Sequence, residues 1–122
     1  MEIPSYIYKP EFDDNRDSEN PYTVEITPLS AGDIQGYGDL IEVKPVKGFR
    51  NKKESNIGKI QKKQFVDNIG EITGLSDLLT GEKITGAKQL YEAPGMWDLV
   101  KELLKAMEDA SVLRDGIEKN SV

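Results

Sequence analysis

From Met96 onward, the apolar residues Met96, Leu99, Val100, Leu103, Leu104, Met107 and Ala110 recur at i, i+3, i+4, i+7, i+8, i+11 and i+14. This spacing gathers them on one face of an α-helix. Asp98, Lys101, Glu102, Lys105, Glu108 and Asp109 take the other faces. Trp97 widens the stripe toward Val100 and Leu104. Pro94 and Gly95 open the segment, and Gly116 ends the helical pattern. Glu102–Lys105 and Lys105–Asp109 are spaced for side-chain pairs worth about 0.2–0.5 kcal/mol each.

Upstream the pattern is weaker. "YTVEIT" (22–27) alternates β-branched and polar residues and predicts a short strand, stopped by Pro28. Ser30 sits as an N-cap with Asp33 in the capping-box position. Gly32, Gly36 and Gly38 then weaken the helix by about 1 kcal/mol each relative to Ala. A short helix or turn is expected there, followed by a strand-like "LIEVKPV" (40–46) and a polar loop, "KGFRNKKE" (47–54). Ile57, Ile60, Phe65 and Ile69 fall roughly on one face and predict a helix over 55–68. "GEITGLSDLLTGEKITG" (70–86) holds four glycines and reads as turns around a short apolar segment. Ala87–Glu92 makes one helical turn, ended by Pro94.

These elements predict an α+β fold, predominantly helical, in a single small domain with a short N-terminal β region and a C-terminal amphipathic helix completing the core. Residues 1–21, with Pro4, Pro10, Pro21 and "EFDDNRDSEN", read as an extended or disordered acidic arm. The domain spans 22–115, and 116–122 is a flexible tail. At 122 residues the chain holds one domain and no internal repeat is visible.

Charge changes this picture in one place. The net charge of -6 is segregated: residues 1–20 and 21–43 carry -4 each, 44–63 carries +7, and 64–122 carries -5. A basic segment between acidic ones can attract an acidic partner or neutralise its own neighbours. Phe49 and Phe65 stand near it for base stacking. An acidic chain lacks the dominant positive field that phosphate binding needs, so nucleic acid is disfavoured as a partner.

Residue types exclude much chemistry. The chain has no Cys and no His, which removes disulfides, thiolate nucleophiles and the usual general base near neutral pH. "DDNRDSENPYTVE" places Asp13, Asn15 and Asp17 at the first ligand positions of a calcium loop. Ser18 stands where Gly is needed and Val24 where the bidentate acid belongs. The glycines of "GLSDLLTGEKIT" (74–85) are spaced too widely for a phosphate loop, and Glu82 stands where Lys would follow Gly. The expectation is therefore no catalytic residue, no metal, no cofactor and no enzyme. No apolar run reaches the ~20 residues of a membrane span, and "MEIPSYIYKPEF" lacks the pattern of a signal peptide. The expected location is the cytoplasm.

From Phe65 onward the order "FVDNIGEITGLSDLLTGEKIT", "KQLYEAPGMWDLVKELLKAME", "ASVLRDGIEKNS" resembles small proteins encoded among the tail genes of long-tailed bacteriophages and prophages. "VEITPLSAGDI" near the start is similar to the opening strand and turn of the same proteins, so the resemblance covers about two thirds of the chain. Many members are regarded as tail assembly chaperones or minor morphogenesis factors. The resemblance implies binding of an immature tail component, the tape-measure or tail-tube protein, in the bacterial host cytoplasm, and it carries no catalytic residues. The alternatives are a virion structural component (a head–tail connector or tail-completion subunit) and a small acidic regulator or DNA mimic. A homo-oligomer is compatible with either. The stripe of the last helix serves the chain's own core for most of its width. Trp97, Val100, Leu104 and Met107 are the positions expected to meet a partner, because Trp and Met favour adaptable contacts.

Overall fold

Alternation in "YTVEIT" folds as expected: Val24 and Ile26 point inward from strand β2 (Thr23–Ile26) and are fully buried. A computed structural model describes residues 4–45, 47–48 and 53–117. β2 is the middle of a three-stranded antiparallel sheet in the order β1–β2–β5, with β1 at Tyr6–Tyr8 and β5 at Ile69–Thr73. Tyr6 pairs with Ile26 and Tyr8 with Val24; on the other side Val24 pairs with Ile72 and Ile26 with Ile69. The last two spacings differ by one residue, which places a bulge in β5 between Ile69 and Ile72. A Cβ on Gly70 would run into the Glu25 carboxylate.

The Ser30–Asp33 capping box forms in both directions and starts α1 (Ala31–Asp39). The chain then makes a small hairpin, β3 (Val43–Pro45) with β4 (Lys53–Ser55), and enters α2 (Ile57–Asn68). The expected polar loop thus has a strand at its C-terminal end, and its residues 49–52 lie outside the described ones. After β5 comes a second hairpin, β6 (Leu75–Ser76) with β7 (Lys83–Ile84), where turns were expected. α3 (Ala87–Glu92) and α4 (Trp97–Glu108) follow. The fold is α+β, with about 49% helix and 20% strand among the described residues.

Two corrections follow from packing. Residues 4–21 of the expected acidic arm are part of the domain, and residues 1–3 lie outside the described ones. β1 closes the sheet, Tyr8 and Pro10 are buried, and a distorted 3₁₀ helix spans Phe12–Asp17. Asp13 and Asp14 adopt left-handed backbone there, with φ of 59° and 53°, a conformation Asp tolerates better than most residues. Buried Asn15 holds the segment: its Nδ2 donates to the carbonyls of Pro10 (2.9 Å) and Tyr22 (3.0 Å), and its Oδ1 accepts from the Tyr22 N–H (2.8 Å). The side-chain oxygen of the middle calcium-loop position is therefore already in use.

The last helix is two helices. α4 ends at Glu108, Asp109 leaves helical geometry (φ −120°, ψ 104°), and α5 (Ala110–Gly116) starts in a new direction. The Asp109 carboxylate accepts from the Ser111 N–H (2.9 Å) and hydroxyl (2.7 Å) and caps α5. Consequently Ala110 is exposed, and the stripe stops at Met107. The expected tail is anchored at its start: the Gly116 carbonyl accepts from the Lys9 N–H (2.7 Å), and Ile117 bridges to Tyr8. Residues 118–122 lie outside the described ones.

Candidate interaction surface

α4 buries Leu99, Val100, Leu103, Leu104, Ala106 and Met107 in one cluster with Val24, Ile26, Phe65, Ile72 and Leu90. Three of the four residues expected at a partner surface, Val100, Leu104 and Met107, are therefore core residues. Each such side chain contributes about 1.5–3 kcal/mol by leaving water, and the chain's own sheet and helices supply the cover. Trp97, at the margin of the stripe, remains 48% exposed. Its ring stands edge-on to Tyr91 at 6.2 Å and 88°, and Tyr91 packs on buried Phe65 at 5.4 Å. Trp97 is thus the outer end of an aromatic series rooted in the core.

Beside it projects the tip of the β6–β7 hairpin. Leu79 is 72% exposed and Leu78 55%. The turn that presents them is fixed by buried Asp77, whose Oδ1 accepts from the N–H groups of Leu79 (2.8 Å) and Thr80 (3.4 Å). Gly81 closes the turn with φ of 74° and donates its N–H to the Asp77 carbonyl (2.8 Å). Leu79 lies against Gly95, two residues before Trp97; a Cβ there would come within 2.8 Å of Leu79 Cγ. The leucines were missed by sequence reasoning, although adjacent leucines in a polar turn carried a signal, since connecting turns run over the surface.

A second apolar surface lies between α1 and α2. Ile34, Tyr37 and Gly38 of α1, Ile41, and Ile57, Ile60, Gln61 and Gln64 of α2 enclose an open groove of about 360 Å³. Leu104, at 7% exposure, and Glu108 also line it, and the Glu108 carboxylate accepts from the Gln64 Nε2 (2.8 Å). Part of the basic segment beside it is neutralised internally, by Lys62–Glu92 (2.6 Å), Lys63–Asp67 (3.1 Å) and Lys44–Glu42 (3.3 Å).

Another hollow, of about 500 Å³, is lined by Tyr8, Glu11, Arg16, Asp98, Lys101, Glu102 and Lys105 among others. Its centre is committed to structure. Glu102, expected to pair with Lys105, accepts instead from the Tyr8 hydroxyl (2.7 Å) and the N–H groups of Glu11 (2.8 Å) and Phe12 (2.9 Å). Burial, then the Glu102 carboxylate, pushes the Tyr8 phenol well above its ordinary value; burial does the same for Tyr22. Both phenols keep their protons near neutral pH. Its lining mixes the acids Glu11, Asp98, Glu102 and Asp115 with the bases Arg16, Lys101 and Lys105. Among the described residues, no three His, Cys, Asp or Glu side chains are placed to hold a metal ion, and no helix is long and apolar enough to cross a membrane. Comparisons with protein-family models, with curated proteins and with solved structures returned no match.

Proposed function

We propose that this chain is a non-enzymatic assembly protein that covers apolar surface on an immature phage tail component, the tape-measure or tail-tube protein, in the bacterial cytoplasm. The resemblance of residues 65–121 to tail-gene-cluster proteins supplies the setting. The observation that carries the mode of action is the cluster of Leu78, Leu79 and Trp97, three large apolar side chains held outward by a rigid frame. Aromatic and aliphatic anchors with little freedom left to lose make economical contacts, because ordering costs on binding are small. Such a knob seats against an apolar helix or groove of an unpolymerised subunit. The larger subunit–subunit interface then displaces it on assembly.

Co-expression with the tape-measure and tube proteins of the same genome tests this reading. The wild-type chain is expected to co-purify with one of them. A Trp97→Ser, Leu79→Asp variant with unchanged circular dichroism is expected to lose about tenfold or more in affinity. Wild-type protein that retains neither partner overturns the proposal. Mass spectrometry of purified virions separates a chaperone, which leaves the finished particle, from a structural subunit, which stays.

A further inference from the structure

Two helix faces wall the groove between α1 and α2. On α1 the lining residues Ile34, Tyr37 and Gly38 stand at i, i+3 and i+4; on α2, Ile57, Ile60, Gln61 and Gln64 stand at i, i+3, i+4 and i+7. No residue of α1 is buried. Ile34 and Ile57 line the groove and still remain exposed. Leu40 and Val43, close to Ile41 in the chain, are exposed as well. This is more apolar surface than a small molecule held within about 360 Å³ would cover. A concave apolar face between two helices is the seat of a further helix.

The polar groups of the lining gather toward the end of α2. At its start, the Asn56 Nδ2 donates to the Leu40 carbonyl (2.9 Å) and brings the chain at Ile41 to that at Ile57. Two turns further along α2, the Gln64 Nε2 donates to the Glu108 carboxylate (2.8 Å). Gln64 is only 8% exposed, yet its Oε1 accepts from no group among the described residues. No polar side-chain atom among those residues is both fully occluded and unpartnered, so this oxygen is reached through the groove that Gln64 lines. Glu108 is the one charged side chain among the described residues of the lining, and it makes no ion pair with them. This end therefore offers an amide oxygen and a carboxylate, both acceptors, and no base to meet them. Acceptors covered without a donor are unfavourable.

We infer that the α1–α2 groove binds an amphipathic helix of another protein, with apolar residues along Ile34, Ile57 and Ile60 and an arginine or lysine at Gln64 Oε1 and the Glu108 carboxylate. The cation brings the donors that this end lacks, in charge-assisted hydrogen bonds. The apolar side chains give α1 the cover its own chain does not provide. α2 is about 18 Å long, which matches anchors at i, i+3, i+4 and i+7 with the cation one turn beyond. A contact of this size is at the small end of specific ones, and the complex dissociates at about 0.1 mM. Trp97, Leu78 and Leu79 do not line the groove, so the inference goes beyond the tail-component reading and stands or falls separately from it.

The probe is a capped synthetic helix of about 18 residues with leucine at i, i+3, i+4 and i+7 and arginine at i+11. A twin carries glutamate in place of the arginine. Each is titrated into the isotope-labelled full chain and followed by NMR. The arginine peptide is expected to shift the backbone amides of Ile34, Gly38, Ile57 and Gln61 and the side-chain amide of Gln64, saturating with a Kd of about 0.1 mM. The indole N–H of Trp97, the single Trp, stays in place. The glutamate twin binds the wild type about tenfold more weakly. Glu108→Lys and Ile57→Glu, both at exposed positions, keep the circular dichroism of the wild type. The first reverses the preference between the peptides, and the second abolishes binding of both. No saturable shift up to about 1 mM peptide overturns the inference. So does a wild type that binds the twins equally, or a preference for arginine that survives Glu108→Lys. Shifts confined to the Trp97 indole and the β6–β7 turn would put the peptide on the knob. Groove amides that move when the free chain is concentrated would name a second copy as the occupant. Either result overturns it as well.

Discussion

Glu102 shows how much one side chain can organise here. Its two oxygens take a phenol and two backbone N–H groups from a segment more than ninety positions upstream or nearly so, fastening Tyr8–Phe12 onto α4. Hydrogen bonds to a charged acceptor are worth about 1.5–3 kcal/mol each, and their donors would be left partly buried without it. Glu102→Ala is expected to destabilise the fold by about 2–4 kcal/mol, measured by urea unfolding, with early protease cleavage in residues 5–20. Wild-type stability in that variant would remove the clasp. The phenols make a separate prediction. Tyr8 and Tyr22 are raised above the ordinary value of 10.0. Below that pH both states hold the protons, and stability does not depend on them. Above it the unfolded chain releases protons that the folded chain keeps, so stability falls with rising pH. With both tyrosines contributing, the slope approaches about 2.7 kcal/mol per pH unit. A Tyr8→Phe variant is expected to lose about half of that slope in unfolding experiments between about pH 10 and 11.

At the scale of elements, packing decides where propensity matters. Gly116 closes α5 directly against the Tyr8 ring, and a Cβ there would overlap the ring edge. Gly36 lies in α1, with nothing within 4 Å of the place a Cβ would take. Opposite outcomes are expected from one kind of substitution. Gly116→Ala lowers the melting midpoint, at a cost of about 1–3 kcal/mol from overpacking. Gly36→Ala raises it, by about 0.5–1 kcal/mol. Equal effects at the two sites would contradict the packing described. The division of the last helix belongs to this scale as well. Its period runs unbroken through Ala110, yet α4 stops at Glu108, because Asp109 serves better as a cap for α5 and the turn lets Leu113 enter the core and Gly116 reach Tyr8.

For the whole molecule, the knob carrying Trp97 and the groove between α1 and α2 are separate surfaces on one core. The single Trp makes the first directly observable. Half exposed, Trp97 is expected to emit at long wavelength and to be readily quenched by acrylamide, and binding of a tail component should shift the emission to the blue and reduce quenching. A bound complex whose emission is unchanged would show that Trp97 stays outside the contact. Local periodicity determined much of this protein without help: strand β2, the capping box of α1, the span of α2 and the inward stripe of α4 each follow from residues a few positions apart. The same letters were silent on partners distant in the chain. Whether Val100, Leu104 and Met107 face a neighbour or the chain's own sheet depends on what lies opposite them. Whether an acidic, proline-marked arm stays loose depends on a carboxylate at Glu102 and an amide at Asn15. Burial and long-range hydrogen bonds are properties of the assembled fold, so only the tertiary structure moved those three residues into the core and left Leu78, Leu79 and Trp97 outside.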